Sequence, residues 1–61
     1  MPSFRYYSVA LAQAKDWATK WLTSVYVVPD GGYYGITHSV RPPARWLVCV
    51  NADGSVTEPG R

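Results

Sequence analysis

The chain lacks what usually staples so short a domain. Its 61 residues include one cysteine, Cys49, and one histidine, His38. A single thiol forms no intrachain disulfide, and one cysteine with one histidine falls short of a four-ligand zinc set. Neither a metal nor a cofactor is therefore expected. No apolar run approaches the ~18–20 residues that cross a bilayer as a helix, so no membrane partner is expected. The acids are Asp16, Asp30, Asp53 and Glu58, and the formal net charge is only +2. That charge permits weak attraction to nucleic acid or anionic lipid without requiring either. The lone cysteine, and a start at Met1-Pro2-Ser3-Phe4-Arg5 without basic-then-apolar order, point to a reducing, cytoplasmic setting.

Aromatic mass is what the chain has in quantity. Trp17, Trp21, Trp46, Phe4 and the tyrosines at 6, 7, 26, 33 and 34 can each bury roughly 150–250 Å². Residues 1–61 are expected to form one domain near the lower size limit, burying about 60% of the surface its unfolded chain exposes. Without cross-links, its stability must come from large core residues, from self-association, or from both.

The sequence predicts a helix over about 8–24. Ser8 is placed to cap it, since its hydroxyl can accept from free first-turn amides. At 100° per residue, Ala10, Leu11, Ala14, Trp17, Ala18, Trp21, Leu22 and Val25 fall inside one arc of about 140°. Gln13, Lys15, Asp16, Thr19, Lys20 and Thr23 take most of the remainder. Asp16 precedes Lys20 by four residues, the favourable order for a helix pair.

Beyond the helix the period changes from 3.6 to 2. Val25-Tyr26-Val27-Val28-Pro29 is β-branched and aromatic, and Asp30-Gly31 after it predicts a two-residue hairpin loop. That loop pairs Val28 with Tyr33, Val27 with Tyr34 and Val25 with Ile36. Val25, Val27, Tyr34 and Ile36 then share one face, suited to a core under the helix, and Tyr26, Val28, Tyr33 and Thr37 share the other. Arg41-Pro42-Pro43-Ala44-Arg45 reads as a loop, since consecutive prolines supply no ladder donors. Trp46–Val50 is the next strand, with Trp46, Val48 and Val50 on the helix face and Leu47 and Cys49 opposite. Ala52-Asp53-Gly54 is a three-residue loop with Gly54 left-handed, pairing Val50 with Val56. Residues 3–7 form either a short strand on the sheet edge or an arm across the uncovered face. The fold class is α+β: one amphipathic helix on a three- to four-stranded antiparallel meander, with a possible short N-terminal strand.

Catalytic chemistry finds little to work with. Asp30 and Asp53 sit in turns that favour aspartate for backbone geometry alone. Asp16 lies on the polar helix face and Glu58 in the tail, so no carboxylate pair forms. A Cys49–His38 nucleophile pair requires proximity and an activated thiol, whereas a cysteine between Val48 and Val50 reads as a small core hydrophobe. Gly31-Gly32 precedes a strand and lacks the spacing of a phosphate loop. No catalytic residue is assigned, and the chain is read as a non-enzyme.

Binding is the better-supported expectation. One helix covers one sheet face, which leaves Tyr26, Val28, Tyr33, Leu47 and Cys49 on a reverse face too apolar to be solvated. Tyr26, Val28, Tyr33 and Leu47, with Arg41 and Arg45 of the proline loop, are the candidate interface. The occupant would be a protein partner or a second copy of the chain. Weak nucleic-acid binding is the alternative, because Arg5, Arg41 and Arg45 lie near Tyr6, Tyr7 and Trp46 in sequence and exposed tyrosines stack bases.

The helix, the Val25-Tyr26-Val27-Val28 strand before an Asp-Gly turn, and the closing Trp46-Leu47-Val48-Cys49-Val50-Asn51-Ala52-Asp53-Gly54-Ser55-Val56 together resemble the short α+β orphan proteins of bacteriophages and prophages. The likeness covers most of the chain but consists of hairpin chemistry. It implies a protein-binding role and transfers no functional residue.

Overall fold

Three alanines set how this fold packs. Ala10, Ala14 and Ala18 recur every four residues along helix α1 (Tyr7–Trp21), and all three are fully buried. With no side chain beyond Cβ, this stripe lets the helix lie close to the sheet, against Val25, Val27, Ile36, Val48 and Val50. Phe4, Leu11, Trp17 and Tyr34 pack around that contact. The computed structural model describes residues 3–38 and 45–59. It is an α+β arrangement, with the helix on one five-stranded antiparallel sheet.

The helix bounds correct the reading of its cap. Tyr6, not Ser8, occupies the N-cap position, with extended φ −115° and ψ 138° and no side-chain capping bond. The Ala10 N–H donates to the Tyr6 carbonyl at 3.1 Å, closing the first turn. Tertiary contacts explain the shift. Strand β1 (Ser3–Phe4) pairs Phe4 with Tyr34, and the Tyr7 ring meets Tyr34 edge-on at 5.8 Å. The helix therefore starts where that packing places it rather than where capping chemistry is best. At the other end, Leu22 takes a left-handed conformation (φ 53°, ψ 46°), and the amides of Leu22 and Thr23 both donate to the Ala18 carbonyl. This is the geometry that usually recruits glycine.

Strands β2 (Val25–Asp30) and β3 (Tyr33–Thr37) form the hairpin, but the loop is Gly31-Gly32 rather than Asp30-Gly31. Both glycines have positive φ, 55° and 91°, as a type I′ turn requires at its two central positions. Glycine adopts these angles without the steric cost that Asp30 would meet. The register accordingly pairs Val27 with Ile36, Val28 with Gly35 and Tyr26 with Thr37. Because the register changes by two residues, the division of residues between faces survives. Pro29 pairs with Tyr34, beyond the last β2 residue that β4 reaches, so its missing N–H leaves no ladder bond unmade.

Strand β4 (Val48–Val50) does not continue as a meander. It pairs with the far side of β2, giving the order β1-β3-β2-β4-β5, where β5 is Val56–Thr57. Val50 pairs with Val56, and Gly54 is left-handed (φ 92°), as the three-residue loop predicts. The Leu47 N–H donates at 2.7 Å to the carbonyl of Val27, the residue already paired with Val48. Two residues thus oppose one, a bulge-like step that changes the phase of alternation. Trp46 therefore reaches the reverse face, against the expectation that it would lie with Val48 under the helix. There it packs on Tyr26, Val28 and Cys49, meeting the Tyr26 ring edge-on at 5.4 Å.

Candidate functional site

The reverse face is more closed than its composition suggests. Tyr26 and Val28 retain only 9% and 8% of their exposure, with Trp46 packed against them. Tyr33 and Leu47, at 44% and 39%, remain open to solvent. Arg45 is exposed, and Arg41 lies outside the described residues. Among the described N-terminal residues, Phe4 and Tyr7 pack on the helix side rather than across this face. Of the proposed interface, the structure therefore gathers Tyr26 and Val28 into a small second core and leaves Tyr33, Leu47 and Arg45 accessible. Burial pushes the Tyr26 phenol above its ordinary pKa of 10, with Cys49 beside it adding to the shift.

Polar residues close the margins of the same face. Ser3 stands opposite Gly35, and its hydroxyl donates at 3.0 Å to Asp30 on β2. The Asn51 amide donates to the hydroxyls of Ser55 and Thr57, each at 3.0 Å. The Ser55 hydroxyl and N–H donate to Asp53 at 2.7 and 2.9 Å, holding its carboxyl below the ordinary range. Asp53 therefore organises its own turn. Asp30 ends a strand and joins it to β1, a structural role different from the turn placement expected of it.

His38 and Cys49 are not brought together. They follow or occupy strands separated by β2, and His38 lies on the helix side whereas Cys49 belongs to the reverse-face cluster. Among the described residues, no group of three or more His, Cys, Asp or Glu side chains is placed to hold a metal ion. No helix of the described residues is long and apolar enough to cross a membrane.

The site that sequence reasoning missed lies where the helix overhangs the sheet. Fifteen helical residues extend about 22 Å at 1.5 Å each, longer than the three- to six-residue strands below them at about 3.3 Å each. Trp21 shares the angular position of Ala14, two turns earlier, yet is 65% exposed. Leu22 beside it is 78% exposed. Trp17, Trp21, Thr23, Val25 and His38 line an open cleft of about 420 Å³ at this end. The Lys20 ammonium stands 5.5 Å from the centre of the Trp21 ring. The cleft offers two indoles as apolar wall over the fully buried Val25, with Thr23 and His38 as the polar residues of its lining. That arrangement can bind and orient a ligand. Its signal in the sequence was the mismatch between helix length and strand length, not any motif.

Searches against protein-family models, curated proteins and solved structures return no match to this chain.

Proposed function

We propose that this chain is a non-enzymatic protein-interaction module of the cytoplasm and that it binds through the end of its helix. The observation that carries this reading is Leu22. It is a branched apolar residue in a left-handed position where glycine would be unstrained, and its side chain is directed to solvent beside an equally open Trp21. A residue that breaks a local rule without a gain in packing marks a place where stability is not the only constraint. The adjoining cleft supplies a concave apolar surface with a few polar points, the usual character of a binding site.

The test is affinity capture from a lysate of the source organism, with and without nuclease, using the native chain and Trp21→Ala. One protein recovered regardless of nuclease, and lost with Trp21→Ala, supports the proposal. Nuclease-sensitive recovery would instead support nucleic-acid binding, for which exposed Arg5 and Tyr6 lie side by side in the chain. Recovery unaffected by Trp21→Ala would move the interface elsewhere, with Tyr33, Leu47 and Arg45 the remaining accessible candidates.

A further inference from the structure

We infer that Asp30-Gly31, at the tip of the first hairpin, is a site of spontaneous aspartate isomerisation that Ser3 restrains, and that its conversion unlatches strand β1. The chain holds two Asp-Gly pairs, Asp30-Gly31 and Asp53-Gly54. Both have the dipeptide most open to this chemistry, because glycine puts no side chain beside the attacking amide nitrogen. Sequence does not separate the two pairs. Their hydrogen bonds do.

At Asp53-Gly54 both reacting groups are engaged. The Gly54 N–H donates to the Asn51 carbonyl at 2.9 Å. The Asp53 carboxylate accepts from the Ser55 N–H at 2.9 Å and from the Ser55 hydroxyl at 2.7 Å. Those bonds favour the charged carboxylate and so deplete the neutral form that loses water. At Asp30-Gly31 the nitrogen is open, since among the described residues no acceptor engages the Gly31 N–H. A β-carbon placed on Gly31 would meet no heavy atom within 4 Å, so a cyclic imide has room to close there. Both residues are exposed. Asp30 pairs with Tyr33 at the very end of the β2–β3 ladder, where a hairpin opens more readily than at its middle. One hydrogen bond restrains its carboxylate, donated by the Ser3 hydroxyl at 3.0 Å from a strand of only two residues.

In the reaction, the Gly31 nitrogen attacks Cγ of the neutral Asp30 carboxyl. The N–Cγ bond forms, and the N–H proton leaves with the carboxyl hydroxyl as one water. Water then adds to the imide. Breaking the N–Cγ bond restores aspartate, whereas breaking the bond from that nitrogen to the Asp30 main-chain carbonyl carbon leaves the chain linked through Cγ. The product has unchanged mass, one added methylene in its backbone, and its free carboxylate on Cα. The added atom spoils the match between the two-residue loop and the Asp30–Tyr33 pair, and it moves the carboxylate away from Ser3. Strand β3 lies between β1 and β2, so the Ser3–Asp30 bond is what ties β1 to the second strand of the hairpin.

The experiment ages the native chain and a guanidinium-unfolded sample in mildly acidic buffer and maps both with trypsin. Cleavage after Lys20 and Arg45, with Arg41-Pro42 resistant, puts Asp30 and Asp53 in separate peptides, 21–45 and 46–61. Isoaspartate is identified in each by retention time and electron-transfer fragmentation. Unfolded, the two sites should convert at similar rates. Folded, conversion at Asp30 should exceed that at Asp53 by about tenfold, as expected if two additional hydrogen bonds must open at Asp53. Ser3→Ala should speed conversion at Asp30 by about threefold, the loss of one such bond, and leave Asp53 unchanged. In the separated product, the Phe4 signals of ¹⁵N-labelled protein should move toward their unfolded positions. The inference is overturned by equal conversion of the two sites in the folded chain, by conversion chiefly at Asp53, or by a native Asp30 that stays intact while the unfolded chain converts. A Ser3→Ala rate equal to the parent's, or Phe4 signals that stay in place in the product, overturns it as well. None of these outcomes involves Trp21, so failure here leaves the interaction proposal standing.

Discussion

Replacing Leu22 by glycine and, separately, by alanine isolates the backbone term at the helix end. Leu22 sits at φ 53° and ψ 46°, a conformation that costs an L-residue roughly 1–2 kcal/mol and glycine almost nothing. Both substitutions discard the same leucine side chain, which is already 78% exposed, so lost burial cancels from the comparison. What remains against glycine is its extra freedom in the unfolded chain, about 0.4–1 kcal/mol. The difference favours Leu22→Gly over Leu22→Ala by about 1 kcal/mol. An exposed position inside the helix must behave oppositely. At Ala12, glycine in place of alanine should cost about 1 kcal/mol.

Urea titrations followed by helix circular dichroism read both comparisons, and for a domain this size 1 kcal/mol moves the melting temperature by about 4–8 °C. The order expected is glycine above alanine at position 22 and alanine above glycine at position 12. Equal or greater stability of Leu22→Ala would mean that the left-handed position carries no strain. The argument that the leucine is held there for something other than stability would then fall.

Three further outcomes follow from the same geometry. Tyr6→Ser should place a hydroxyl on the uncapped first turn and raise stability by about 1 kcal/mol, whereas Ser8→Ala should stay within about 0.5 kcal/mol of the parent; urea midpoints for the two variants check this. Ala14→Leu should cost about 1–3 kcal/mol or more by overpacking the buried alanine stripe of the helix, and a neutral result by the same titration would show that the helix does not lie so close. Asp53, whose carboxyl is held low by the Ser55 hydroxyl and amide, contributes stability that is present above the ordinary carboxylate range and lost as pH falls through its lowered folded value. Asp53→Asn should therefore flatten part of the acid side of the stability profile measured by urea midpoint against pH.

The elements were legible where a strong local pattern met no competitor. The helix arc, the Ala52-Asp53-Gly54 loop and the division of β2 and β3 residues between faces all emerge from period and turn chemistry. The facial division holds even though the hairpin loop moved to Gly31-Gly32, because the register changes by two residues, which preserves parity. Other features depend on how elements meet, which period does not encode. The step at Leu47 reverses the alternation and takes Trp46 to the other face. The Phe4–Tyr34 pairing starts the helix ahead of Ser8. The return of β4 to the far side of β2 replaces a meander, and a helix longer than its strands leaves Trp21 and Leu22 uncovered. Each is set by tertiary geometry acting against a local preference.

The fully buried core is aliphatic, and the large aromatics mostly pack around it rather than fill it. The largest fully buried side chains are Ile36 and the valines at 25, 27, 48 and 50, and no tryptophan is among them. All three indoles stand at the rim, where they need not share a role. Trp46 is half-buried on Tyr26, Val28 and Cys49, and its loss would uncover that cluster. Full burial of a tryptophan is worth about 3–5 kcal/mol against alanine, so a half-buried one should cost about 2 kcal/mol. Trp21 has 65% of its surface in water and lies at the end of its helix. Trp21→Ala should cost less, about 1.4 kcal/mol by the same scaling. Urea titration of Trp46→Ala and Trp21→Ala therefore separates an indole that seals the fold from one that the fold only carries. Equal losses would make Trp21 a structural residue, and its exposure beside the cleft would no longer argue for binding.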